Sequence, residues 1–414
     1  MINEILQENL KMRKFYLSQL EEWAWKPLVK VIVWARRVWK SSLLEQLIQK
    51  VIGEKRYLED EIFYMNKEFP EYDGVKNYED LTKMILDFLE NKEKAMIVID
   101  EIQEIQNWEK TINGILSKYR EKVDIYITGS NAHLLSWEYA TYLTWRYVTI
   151  SVFPLTFDEY CAFYDKPSSQ TTFLEFLEKW GLPGLSLLWD SKNSIFQYLS
   201  AVYTTIVEKD IESRFKINKK DFFQNLYKYL FLNVGNVFSA KKITDYLKNE
   251  KITISVDTVL DYLSYGEDAF LLHKLHSQDV STKKLFSIYN KYYVGDVGMR
   301  NALTGFVYQR DLGALLENYV FLVLKKYGFS VMIGRDKEGR EIDFIAEKYG
   351  NRIYLQVSQT LLQPSTLERE YASLLALKDQ WPKMIVTMDQ PWSSFQWILQ
   401  VNILDFEHVI QNYA

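Results

Sequence analysis

Between an apolar run, Val29-Lys30-Val31-Ile32-Val33, and a helical stretch from Ser42 to Val51 lies Trp34-Ala35-Arg36-Arg37-Val38-Trp39-Lys40-Ser41. A lysine and a hydroxyl residue at the junction of a buried strand and a helix N-terminus are the chemistry of a phosphate-binding loop, G-x-x-x-x-G-K-[ST]. Backbone N–H groups of such a loop and the start of its helix cradle phosphate oxygens. Lys40 then neutralises the β- and γ-phosphates of ATP, the Ser41 hydroxyl ligates Mg2+, and Ser42 extends the cradle into the helix. Arg36 and Arg37 either clamp phosphate or stand in solvent. Both glycine positions of the motif hold tryptophan, Trp34 and Trp39. Glycine serves there for positive φ and close approach to phosphate. Two indoles fill that space, so the loop as written is expected not to bind ATP.

Further chemistry lies downstream. Ile97-Val98-Ile99-Asp100-Glu101 is an apolar strand ending in two carboxylates. Asp100 is placed to hold Mg2+ and Glu101 to orient the attacking water. The separation from the loop, about 60 residues, suits two intervening strand–helix units. Thr128-Gly129-Ser130-Asn131 ends the next strand, where Ser130 or Asn131 can touch the γ-phosphate. Arg146, before the fifth strand, can supply charge to the transition state.

These residues need a scaffold of alternating strands and helices. Apolar runs at 29–33, 62–65, 95–99, 125–128 and 147–152 alternate with helical periodicity at 42–51, 78–90 and 108–119. That alternation predicts a parallel sheet covered on both faces. Residues 1–26 read as one helix. The fold class expected is α/β, with a doubly wound parallel-sheet P-loop core at 1–156 and a helical lid at 157–235. A winged-helix segment at 236–305 and a restriction-endonuclease-like α/β domain at 306–414 follow. In that last domain Glu317, Asp343 and the strand YLQVSQTL echo a nuclease core, in which an acid, an Asp and E-x-K converge on metal. Here the third element is Gln356-Val357-Ser358, lacking both carboxylate and lysine, so packing or binding is expected instead of cleavage. Asp343 is expected to cap or to pair with Arg340. Lys241 and Lys242 either meet DNA phosphate or form a solvated face.

Composition excludes whole classes. At 48% hydrophobic and 25% charged the 414-residue chain is globular. A net charge of −5 advertises no global nucleic-acid surface. One cysteine, Cys161, excludes an internal disulfide and a Cys-rich zinc site. His133, His273, His276 and His408 are too scattered to form a ligand set. The N-terminus MINEILQENLKMRK does not read as a signal peptide, and no run of about 18 apolar residues spans a membrane. A cytoplasmic location is the expectation.

The stretches VIVWARRVWKSSLLEQL, IVIDEIQEIQNWEK, YITGSNAHLL and RYVTISVFPLTFDEY resemble the AAA+-type ATPases of the ATP-binding-protein family that carries a conserved C-terminal domain of unknown function. The resemblance covers nearly the whole chain. It implies an ATP- and Mg2+-dependent regulator working as a homo-oligomer or a switch, with DNA (through the winged helix) or a protein client as partner and no membrane role. The alternative is a non-hydrolysing binding protein. The family pattern G-x-R-R-x-G-K-S puts Trp34 and Trp39 on its two glycines. Trp137, Trp145, Trp180, Trp189 and Trp392 also fall in loops and caps where glycine is expected. Trp397 fits less well, and Trp25 fits either reading. Trp23, Trp108 and Trp381 read as ordinary aromatic positions. Reassigning eight takes Gly from 16 to 24 and Trp from 12 to 4, near ordinary glycine usage of about 7%. This pattern is what a codon meaning Gly in the source, written as Trp, would leave. A degenerate pseudo-ATPase and deliberate Gly→Trp substitution are the alternatives.

Overall fold

The apolar runs at 29–33, 95–99 and 125–128 become strands buried on both faces, as a parallel sheet under two helical layers requires. The computed structural model describes residues 2–8, 10–33, 36–129, 146–179, 181–188, 191–280, 282, 284–336, 338–390 and 396–414. Two compact units result, Met1–Val152 and Phe153–Ala414. Among the described residues no helix is long and apolar enough to cross a membrane.

In the first unit, β1 (Val29–Val33), β2 (Ile62–Asn66), β3 (Ala95–Asp100), β4 (Val123–Gly129) and β5 (Tyr147–Ser151) form one sheet of order β2-β3-β4-β1-β5. Every pairing is parallel. Helix α3 (Lys40–Gly53) follows β1, α4 (Tyr78–Leu89) follows β2, and α5 (Trp108–Tyr119) follows β3. Within β1 the buried Lys30 is answered across the sheet by Asp124, Nζ to Oδ1 at 2.5 Å. The first 26 residues do not form one helix. They split into α1 (Ile2–Gln7) and α2 (Lys14–Glu22). Side chains of α3 replace the lost helical hydrogen bonds: Gln49 Nε2 donates to the Ile5 and Glu8 carbonyls at 2.6 and 2.9 Å, and Gln46 Nε2 to Lys11 O at 3.0 Å. With those carbonyls satisfied, the break costs little.

The second unit begins with α6 (Phe157–Tyr164), α7 (Gln170–Lys179), α8 (Lys192–Ile206) and α9 (Lys220–Leu232). Then come β6 (Val237–Phe238), α10 (Ala240–Asn249), α11 (Val256–Asp268), and an antiparallel ribbon of β7 (Leu272–Asp279) and β8 (Leu285–Val294). Helices α12 (Val297–Thr304) and α13 (Tyr308–Lys326) precede β9 (Ser330–Arg335), β10 (Glu341–Lys348) and β11 (Asn351–Ser358). Helix α14 (Pro364–Leu375), β12 (Lys383–Thr387), β13 (Ile398–Asn402) and α15 (Phe406–Gln411) finish the chain. The strands make one mixed sheet, β13-β12-β11-β10-β9-β7-β8-β6. Strands on either side of the boundary expected at 305/306 share this sheet: β7 pairs β9 in parallel, Ser277 opposite Ile333. No local pattern announces that pairing, because its partners lie more than fifty residues apart. Buried Arg300 ties α12 to α13 through a bidentate pair with Asp311 at 2.9 and 3.1 Å, and reaches Phe231 O at 3.0 Å.

Candidate functional site

Parallel α/β sheets place their ligand crevices at the carboxyl ends of the strands. Here the ends of β1, β3 and β4 bring the expected residues together. Lys40 opens α3 and is 5% exposed. The Ser41 hydroxyl and the Lys40 charge both act on the Asp100 carboxylate and favour its ionised form. Asp100 closes β3 and is fully buried. Burial first, then the Glu101 charge, pushes its carboxyl up to about 6 against the pull of Ser41, Thr128 and Lys40. Thr128 Oγ1 donates to Asp100 Oδ1 and accepts the Glu101 N–H at 3.0 Å. Glu101 sits in the left-handed region, φ 54°, and Gln103 Nε2 donates to its Oε2. A non-glycine residue held there stores roughly 1–3 kcal/mol of strain, which is common where a side chain is aimed for a task.

The carboxylate side of this arrangement fits Mg2+. Asp100 Oδ2 is buried with no hydrogen-bond partner among the described residues, and Ser41 acts on the same carboxylate. Two oxygen ligands of that kind suit a hard cation that also takes phosphate oxygens. On the loop side Arg37 and Trp39 adopt φ 68° and 63°, in the left-handed region. At Trp39, which caps α3, those angles carry a half-buried indole in place of bare backbone. Trp25 and Trp397 also adopt positive φ, 60° and 66°. Of the described tryptophans, Trp23, Trp108 and Trp381 do not. The two positions the sequence left least decided thus adopt left-handed backbone, which favours glycine but is also taken here by Lys55, Asn91 and Phe270 among others. Trp34, Ala35, Ser130, Asn131, Trp137, Trp145, Trp180, Trp189 and Trp392 lie outside the described residues.

Other expected residues find different places. Arg146 lies at the start of β5, where its carbonyl accepts from Val29 N and its guanidinium from Nη1 donates to Ser117 Oγ at 3.2 Å. That is the end of the sheet away from Asp100, so Arg146 does not join the constellation within one chain. Arg36 turns to Glu68 at 3.4 Å, and Arg37 is exposed. Val38 is buried, and its carbonyl accepts from Arg13 Nη1 at 3.3 Å. Arg13 and Glu45 escaped the sequence reading, and Thr128 stood in the Thr128-Gly129-Ser130-Asn131 segment with the role given to Ser130 or Asn131. Glu45, on α3, is pushed up to about 7 by burial and by Glu8 and Asp100. No fixed motif spacing identifies Arg13 or Glu45.

In the second unit, Glu317 and Asp343 do share a cleft of about 780 Å³. Lys291 of β8 reaches the same cleft wall, with its Nζ 2.9 Å from Glu317 and 2.6 Å from Glu341. Gln356 is structural: its Oε1 accepts the Asp343 N–H at 2.7 Å and its Nε2 donates to Glu370 and Ser373, both at 3.0 Å. Asp343 accepts from Val357 N at 2.8 Å, whereas Arg340 pairs with Asp336 and Glu338. The expected Asp343–Arg340 pair does not form, because the β-turn acids are nearer to Arg340. Among the described residues no three His, Cys, Asp or Glu side chains are grouped to hold a metal.

Residues 26–161 match the model of an AAA domain, and residues 171–310 that of a domain of unknown function. An uncharacterized protein of Haemophilus influenzae is 32% identical over 380 residues, 91% of this chain and 92% of that one. An uncharacterized protein of Methanocaldococcus jannaschii is 29% identical over 366 residues, 85% and 79% of the two chains. Among solved structures, a Walker-type ATPase of Pyrococcus abyssi superposes with a TM-score of 0.49 at 13% identity, covering 72% of this chain and 97% of that one. Cdc6p of Pyrobaculum aerophilum gives 0.30 at 12%, covering 73% and 96%.

Proposed function

The chain belongs to the family of the Haemophilus influenzae protein and carries an AAA domain, and from that premise we propose that its natural form is an Mg2+-dependent ATPase whose nucleotide state controls a binding output. The observation that carries this is the buried network at the strand ends: Lys40 at the helix start, Ser41 on Asp100, and Thr128 joining Asp100 to the Glu101 backbone. Lys40 holds the β- and γ-phosphates, Ser41 and Asp100 hold Mg2+, and Glu101 orients water, with Ser130 or Asn131 at the γ-phosphate. The metal supplies charge neutralisation on the phosphates and on the leaving oxygen. Trp34 and Trp39 stand at glycine positions of the natural loop, which the left-handed backbone at Trp39 supports. As written, the loop does not accept ATP.

For the output we read β6, α10, α11, β7 and β8 as a winged helix, and residues 306–414 as a nuclease-like scaffold used for binding. A second reading, a non-hydrolysing regulator, is favoured by one observation, the half-buried Trp39 indole at the helix cap.

The test compares the chain as written with the double variant Trp34→Gly/Trp39→Gly. A ligand at a hundredfold its Kd stabilises by about 2.7 kcal/mol, so Mg·ATP is expected to raise the melting temperature of the double variant only. Adding Lys40→Ala removes that shift. Adding Glu101→Gln keeps the shift and stops phosphate release. A double variant that shows no Mg·ATP-dependent shift refutes the ATPase reading. The codons are a separate check: positions 34 and 39 are expected to share one codon, and Trp23 and Trp108 another.

A further inference from the structure

Helix α10 is amphipathic, yet Ala240 and Thr244 are its only buried residues. Its apolar stripe, Ile243, Tyr246 and Leu247 at i, i+3 and i+4, lines an open groove of about 1010 Å³. The facing wall is α9, which presents Phe222, Leu226 and Tyr229 at i, i+4 and i+7. Large apolar side chains are left exposed along it: Tyr229 by 48%, Val237 by 44%, Tyr246 by 66% and Ile252 by 47%. Single exposed apolar residues are ordinary, but a contiguous set marks an interaction surface.

The shape and charge of the groove select the occupant. Two helical stripes enclosing a trough are the geometry that receives the apolar face of a third helix. Two turns of α-helix, about 10 Å across and 1.5 Å per residue, occupy roughly 800 Å³, within the groove's volume. The rim carries Lys219, Lys220 and Lys242 against Asp221. Lys219 Nζ is spent on Thr253 O at 2.6 Å, and Lys220 on Glu212 at 2.8 Å. Lys242 makes no ion pair among the described residues, and Lys241 beside it is exposed. DNA is disfavoured by the neighbouring helix. In a helix-turn-helix arrangement the second helix enters the groove of the duplex. Here that helix is α11, VDTVLDYLSYGED, with four acids and no Lys or Arg.

We infer that the α9–α10 groove docks an acidic amphipathic helix of a protein partner, which makes this segment a protein-binding module and not a DNA reader. Apolar contacts hold the helix, and Lys242 with Lys241 selects acidic flanks.

The inference is tested on the full chain with two labelled peptides, a leucine-faced helix with Glu on its polar side and the same helix with Lys instead. Fluorescence anisotropy is expected to show the Glu peptide binding about tenfold or more tightly than the Lys peptide. Tyr246→Asp loses binding, and Lys242→Glu narrows the preference. Because Tyr246 is mostly exposed, the variant is expected to keep its circular dichroism spectrum; should it unfold, Lys242→Glu alone decides. Equal binding of both peptides, or of neither, overturns the inference. So does duplex DNA binding that the same variants abolish, or a groove variant that converts a dimer to a monomer in sedimentation, since the occupant is then DNA or a second copy. None of these outcomes depends on nucleotide binding.

Discussion

Trp397 offers the cleanest measurement of whether a tryptophan stands where the backbone calls for glycine. It precedes β13 and follows Gln396, and both residues have positive φ, 51° and 66°. Two consecutive positive φ values are the signature of a type I′ turn, whose second residue is preferentially glycine. An L-residue in the left-handed region costs roughly 1–2 kcal/mol. The side chain is 97% exposed, so its removal forfeits almost no burial. Glycine gives back about 0.5–1 kcal/mol through the freedom of the unfolded chain. Trp397→Gly is therefore expected to stabilise the second unit by about 0.5–1 kcal/mol, a rise of roughly 1–4 °C. Trp397→Ala keeps a Cβ in the same conformation and is expected to leave the midpoint unchanged. Differential scanning calorimetry of the three proteins side by side reads the difference. If Ala matches or exceeds Gly, the strain argument fails, and with it the structural support for glycine at Trp25 and Trp39.

Two further outcomes follow from the second unit. Asp296 is fully buried, caps α12 through Met299 N at 2.7 Å, and is pushed up to about 7 by burial. A carboxyl raised in the fold favours the neutral form, so its stabilisation is complete below its ordinary range near 4 and is lost as pH rises through 7. Asp296→Asn keeps the cap without ionising, so its stability relative to the parent is expected to increase between pH 5 and pH 8; a constant difference refutes this. Arg300→Met leaves Asp311 with Arg310 as its remaining bidentate partner, at 2.7 and 2.9 Å, so the expected loss by chemical denaturation is that of charged hydrogen bonds, about 1.5–3 kcal/mol. Arg300→Met/Asp311→Leu is expected to recover much of it, and a double variant as unstable as the single one contradicts the pairing argument.

Local pattern made much of the first unit legible. The alternation of apolar runs and helical periodicity placed β1, β3, β4 and α5 within a residue or two, because strands buried on both faces leave continuous apolar runs. Lys40-Ser41 and Asp100-Glu101 were readable because a helix start and a strand end each impose a chemistry on adjacent residues. Where side chains of another element take over backbone hydrogen bonds, local reading fails. Gln46 and Gln49 of α3 divide the expected first helix in two.

By itself the sequence determined the elements of the parallel sheet and the place of Lys40-Ser41 between a strand and a helix. Tertiary structure alone decided which ends and edges meet. It set the strand order β2-β3-β4-β1-β5, which brings Thr128 onto Asp100 and leaves Arg146 at the far end. It carried the β7–β8 ribbon into the C-terminal sheet and delivered Lys291 to Glu317. It also put Trp25 and Trp397 in left-handed backbone. The physical reason is one of range: periodicity and caps act over a few residues, whereas strand order and through-space charge pairs are settled by packing between segments far apart in the chain.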